Sequence, residues 1–177
     1  MVRTQIFSSN VEYKGNFDLE QLYSGLNGIL TKFGWMGLAG KNYFETYYYH
    51  KITPENLYFI ELKWEAKKPY WMEEPKIDWY LTLTILVISY NPQTKTGELK
   101  ISINSEHDIE EISKPEPKSK VENILVKIFK YPTEWLHKTY ESARVKGPAK
   151  LSAKYLYIES NTIRNEIINM LKGISVS

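Results

Sequence analysis

No cysteine occurs in the 177 residues. Disulfides, thiolate nucleophiles and thiolate metal ligands are therefore excluded, and the absence fits a reducing compartment. Long apolar runs are missing as well. The longest aliphatic run, ILVI at 85–88, is strand-sized and far short of the ~20 residues that a membrane helix needs. The opening stretch MVRTQIFSSNVEYKG carries neither an apolar block nor a small-residue cleavage site, so no secretory signal is expected. Charge of one sign is also lacking. The 23 Lys+Arg stand against 21 Asp+Glu, a formal net charge of +2, which makes a nucleic-acid partner an unlikely expectation. Together these absences predict a soluble, cytoplasmic protein with no membrane span.

Catalytic signatures are absent too. No glycine-flanked serine elbow accompanies the three histidines His50, His107 and His137. The glycine-bearing stretch GWMGLAGKN (34–42) leaves a helix-like segment and enters a strand-like one. A phosphate-binding loop has the reverse order, so a turn with Trp35 or Met36 tucked inward is expected instead. The HDIEE run (107–111) offers oxygen and nitrogen ligands, but it matches no established metal spacing. No metal, no cofactor and no catalytic residue is assigned; the chain leans towards a non-enzyme, with an enzyme using scattered acids and histidines ranked last.

What is plentiful is aromatic. Phe, Trp and Tyr make up 14% of the chain, with 14 Tyr and 5 Trp. Such rings serve sheet packing, cavity lining or contact surfaces, because the ring buries while the polar tip finds water or a partner. Charged residues at 25% and hydrophobic ones at 42% are ordinary for a globular chain. The Lys-, Glu-, Ile- and Tyr-rich composition leans towards a thermophile.

Periodicity supplies the architecture. Residues 2–13 predict an edge strand. Leu19, Leu22, Tyr23, Leu26, Ile29, Leu30 and Phe33 recur at helical spacing, predicting a helix over 18–33 capped by Asp18 and ended by Gly34. Gly25 and Gly28 within it suggest a close approach to a sheet. Residues 42–53, 56–67, 77–90 and 97–104 alternate with period two, predicting an antiparallel meander with one polar face. Residues 105–120 are acidic and proline-bearing, and read as a connector. Helical stripes follow over 119–130 and on to 145. Residues 150–158 fit strand or helix alike, and a firm helix then runs to Gly173. The whole, 1–177, predicts a single α+β domain. Its curved antiparallel meander is covered on one face by an N-terminal helix and two to three C-terminal helices, in the order β-α-β-β-β-β-α-α.

By element order alone the chain is similar to helix-grip folds, which enclose apolar ligands. It departs from them where Pro132 and Pro148 interrupt the final helical region. Two functional expectations follow. The first is a binding or assembly module acting through protein contacts, with a protein partner or self-association. Its contact residues are Tyr70 and Trp71, in the charged, proline-bounded link KKPYWMEEPKIDWY (67–80). The second is a carrier or sensor of an apolar small molecule, as the resemblance implies, with a cavity lined by Tyr48, Trp64, Trp79 and Tyr140.

Overall fold

The structure is a computed structural model describing residues 3–38, 40, 43–71, 76–109 and 147–174. Six strands form one antiparallel sheet: β1 (Arg3–Asn16), β2 (Met36–Gly37), β3 (Glu45–Ile52), β4 (Tyr58–Pro69), β5 (Ile77–Asn91) and β6 (Thr96–Ile109). The spatial order is β1-β6-β5-β4, and β2 and β3 share the outer edge of β4. Helix α1 (Leu19–Lys32) follows β1, and a 28-residue helix α2 (Gly147–Ile174) closes the described chain. The fold is the expected α+β arrangement of a curved meander with helices from both ends of the chain. Helices expected over 119–145, and with them Tyr140, lie outside the described residues.

Alternation sets the core. Ile77, Trp79, Leu81, Leu83, Ile85 and Val87 of β5 are all buried on one face. Ile60, Leu62, Trp64 and Ala66 of β4 and Leu99, Ile101 and Ile103 of β6 join them in a single cluster. Helix α1 adds Leu22, Leu26, Ile29 and Leu30. Asp18 caps α1 by accepting from the N–H groups of Glu20 (2.9 Å) and Gln21 (3.1 Å), and Lys95 of the β5–β6 turn reaches the same carboxylate. The Lys95 bond and then the Gln21 bond hold the Asp18 carboxyl below its ordinary range. Gly34 takes φ +76°, the left-handed cap that glycine tolerates best.

Several expectations need correction. Gly25 faces α2 rather than the sheet, since a Cβ there would lie 2.3 Å from Met170 Sδ, whereas Gly28 looks into open space. Trp35 is the residue of the 34–42 turn that tucks in; Met36 is exposed. The strand expected at 97–104 runs on to Ile109, so 105–109 is ladder and not connector. Ser105 and His107 keep the inward alternation and pair with Leu81 and Trp79. Their polarity hid the strand, and the partners that make it tolerable come from α2. The ambiguity at 150–158 resolves as helix. Ser152, Leu156, Ser160, Ile163, Ile167 and Leu171 form one buried stripe at helical spacing. Pro148 opens α2 in its first turn, where its missing N–H costs nothing, so it does not interrupt the last helix.

That stripe meets the sheet through a polar seam. Trp79 Nε1 donates to Ser152 Oγ at 2.8 Å, His107 Nδ1 lies 3.4 Å from the same oxygen, and Ser160 Oγ donates to Ser105 Oγ at 2.8 Å. Burial pushes the His107 pKa below its ordinary value, and neighbouring Asp108 offsets this only in part. The unfolded chain takes up a proton at about pH 6.5, while the folded one resists until lower pH. Stability is therefore full above about 6.5 and falls with acidification through the window between the two values. Melting temperature should drop between pH 7 and pH 5 in the native chain, and drop less in His107→Gln. Equal slopes for the two proteins would remove His107 from the account.

Candidate functional site

Alternation along β4 places Trp64, Ala66, Lys68 and Tyr70 on the same face. The last two reach beyond the core to the end of the sheet, where Tyr70 N–H bonds Ile77 O at 2.9 Å and closes the strand pair. The Tyr70 ring packs on Trp79 with centroids 5.1 Å apart, and Trp71 packs on Tyr70 at 5.3 Å. Helix α2 faces this stack with Tyr155, Ile158, Glu159 and Thr162, and Phe33 at the end of α1 completes the wall. The result is an open cleft of about 450 Å³.

A single ammonium ties its three sides together. Lys68 Nζ donates to Phe33 O at 2.7 Å and to Glu159 Oε1 and Oε2 at 2.8 and 2.9 Å. The same nitrogen lies 5.6 Å from the Trp79 ring and 5.9 Å from that of Trp35, within cation–π range. It also satisfies a carbonyl at the C-terminal end of α1, where positive charge suits the helix dipole. The cleft floor is thus aromatic, and its ion pair is satisfied internally. Trp71, at the rim, is 73% exposed, and Tyr155 and Ile158 are each 49% exposed. Tyr70 is buried, its hydroxyl meets no hydrogen-bond partner among the described residues, and burial raises its phenol pKa.

A second hollow lies under α1. It is about 160 Å³, and Leu19, Leu22, Tyr23 and Leu26 of the helix face Tyr48, Ile60, Leu62, Trp64, Ile85 and Val87 of the sheet across it. The four cavity residues expected from sequence therefore separate. Tyr48 and Trp64 line this hollow, Trp79 belongs to the cleft, and Tyr140 lies outside the described residues. Of the expected contact pair, Trp71 stands at the surface and Tyr70 does not. Sequence reasoning missed Lys68, Glu159 and the α2 wall. The signal was present: read as helix, Tyr155, Ile158, Glu159 and Thr162 fall at i, i+3, i+4 and i+7, one stripe beside the buried one.

The HDIEE ligands do not converge. His107 and Asp108 are consecutive in β6 and point to opposite faces; Glu110 and Glu111 lie outside the described residues. Among the described residues no group of three His, Asp or Glu is placed to hold a metal ion, and no helix is long and apolar enough to cross a membrane.

No protein-family model matches the sequence, and no curated protein matches it. Among solved structures, the chain is matched to a Staphylococcus aureus protein of unknown function, SA2116. The identity is 9% and the TM-score 0.26, with 97% of this chain and 96% of that one covered.

Proposed function

We propose that the protein is a non-enzymatic binding module that engages a protein partner, and that the cleft beside Trp71 receives an apolar side chain of that partner. The observation that carries the reading is the exposure of Trp71 on an aromatic backing. A large ring, 73% exposed, rests on the Tyr70–Trp79 stack at the mouth of the 450 Å³ cleft. Exposed Trp and Tyr on a packed base are the residue types that dominate contact energies. The volume lies within the roughly 300–1,000 Å³ range of sites that take up a substantial group.

A random-peptide display selection tests this. The native protein should enrich peptides sharing one large apolar residue, and Trp71→Ala should lose that enrichment. Its melting temperature should move by no more than roughly 2 °C, because little of the ring is buried. A sharp fall in melting temperature with the enrichment intact would make Trp71 a core residue and remove the basis of the reading.

The second reading, a carrier or sensor of an apolar small molecule, rests on the hollow under α1 and its entirely apolar and tyrosyl lining. Its size limits it. At about 160 Å³ it matches a benzene-sized guest, as engineered cavities of about 150 Å³ do, and falls below ordinary ligand pockets. Native mass spectrometry separates the two readings: a retained small molecule favours the carrier.

A further inference from the structure

The two halves of α2 meet their neighbours in different ways. Past residue 162 the buried stripe is aliphatic: Ile163, Ile167 and Leu171. That half is also tied by Arg164 to Ser9, by Glu166 to Lys32 and by the close approach of Met170 to Gly25. Before residue 162 the stripe is Ser152, Leu156 and Ser160, while the apolar side chains Leu151, Tyr155 and Ile158 are exposed. Burial of apolar surface therefore anchors the second half and contributes less to the first. The first half is held chiefly by polar ties: the Trp79–Ser152–His107 contacts, Ser160 to Ser105, and Lys68 to Glu159. Between the halves lie Ser160, Asn161 and Thr162, three residues of low helix propensity. Thr162 Oγ1 donates to Ile158 O at 2.8 Å, a back-bond of the kind that bends helices.

His107 meets the first half. Trp79 Nε1 donates to Ser152 Oγ, which leaves the hydroxyl proton of Ser152 for His107 Nδ1 at 3.4 Å. Nδ1 accepts it only while the ring is neutral and carries its proton on Nε2. Once protonated, the ring donates from both nitrogens. The Ser152 oxygen must then accept from two donors, and its own proton loses its acceptor. The new charge is also buried, since His107 is 5% exposed. Few charges face it. Trp79 of β5 and Thr4 of β1 lie opposite it in the sheet. Ser152 meets it from α2, flanked by the exposed Lys150 and Lys154. Asp108, next in β6, is the acid that acts on it among the described residues.

We propose that the first half of α2, from Pro148 to Ser160, is a proton-operated latch. It lies on the sheet while His107 is neutral, and it swings away about Ser160–Thr162 when His107 takes up a proton. Opening lets water reach the ring, so the open form takes the proton more readily and acid draws the population towards it. The latch is closed above about pH 6.5 and releases below that value. Release carries Tyr155, Ile158 and Glu159 away from Tyr70 and Trp79, and with them goes the α2 wall of the cleft. On the reading of the cleft as a peptide site, binding is thereby confined to neutral pH.

Amide hydrogen exchange of the full chain, expressed as protection relative to the intrinsic rate at each pH, tests it. Between pH 7 and pH 5 residues 151–160 should lose protection while 163–171 and β5 keep theirs. The His107 ring proton, followed by NMR, should titrate over the same window. In His107→Gln the pH dependence of 151–160 should vanish. Ser152→Ala should lower the protection of 151–160 already at pH 7 and leave the pH dependence in place, because the buried ring remains. No peptide is present, so failure here is distinct from failure of the binding reading. Loss of protection along the whole of α2 together overturns the proposal, as does a segment 151–160 that stays protected at pH 5. So does a His107 ring that titrates in a different window, which the native chain alone reveals. A pH dependence of 151–160 that persists in folded His107→Gln overturns it too.

Discussion

Trp64→Ala is expected to lower stability by about 3–5 kcal/mol, the largest effect of any single change considered. Trp64 is 1% exposed, meets Tyr23 edge-on at 4.8 Å and stacks on Phe44 at 6.0 Å. Its indole nitrogen has no hydrogen-bond partner among the described residues, so the loss is packing and cavity rather than a broken polar contact. The ring also forms part of the wall of the 160 Å³ hollow, and its removal merges new void with old. An apolar void of that kind stays dry and accepts an apolar guest. Indole added to the buffer should therefore bind the folded variant and raise its stability by mass action, with little effect on the native chain. Urea unfolding with and without indole reads both results. A cost under about 1 kcal/mol would mean that this part of β4 carries little of the core. A full cost with no response to indole would mean that the site collapses, and would weaken the carrier reading.

Lys68→Ala is the second large effect, expected at about 2–4 kcal/mol. Breaking a buried ion pair by removing one partner costs about 3–5 kcal/mol; here the side chains remain 25% and 18% exposed, which lowers the figure. The change strands the Glu159 carboxylate against aromatic rings and leaves the Phe33 carbonyl without its donor. The test is a paired variant. Lys68→Met with Glu159→Leu removes both charges, and most of the loss should return. If the double variant is as unstable as the single one, the stability lies in the packing of the lysine stem and the α1 carbonyl bond, not in the pair. Peptide selection on the double variant also shows whether the cleft needs its charges or only its shape.

The parts of the fold that were legible in sequence are those where side chains follow the rule of their own element. Leu81, Leu83 and Ile85 alternate without interruption, and Leu22, Leu26 and Ile29 keep helical spacing. Their burial could be read locally. Four inward residues could not be: Ser105, His107, Ser152 and Ser160 look like surface positions and are buried. They are tolerated inside because they bond one another across 45 and 55 residues of chain, and no window of local pattern contains both partners. The cleft was half legible for the same reason. Continuing the even-numbered alternation of β4 for two more inward positions would have turned Lys68 and Tyr70 inward and left Trp71 outside. The strand expected from sequence ends at 67, and the carboxylate that makes an inward lysine tolerable is 91 residues away. The close approach of α1 and α2 at Gly25 and Met170 is likewise a property of two elements together.

The pairing of β1 with β6 has a consequence for how the chain comes to be folded. Lys14 meets Glu98 across 84 residues, so β1, made before the other five described strands, waits for β6, the last of them, before it has a neighbour. At translation rates of about 5–20 residues per second the wait is on the order of ten seconds, far longer than collapse or hairpin formation takes. The β3–β4–β5 meander can pair during that time; β1 cannot. Its edge must stay unattached while nascent chains crowd nearby, and its composition suits that. Ser8, Asn10, Glu12 and Lys14 lie exposed between the inward Phe7, Val11 and Tyr13, spacing polar groups through the segment with the longest exposure to wrong partners. A pairing so distant in sequence adds to contact order, which slows folding in general.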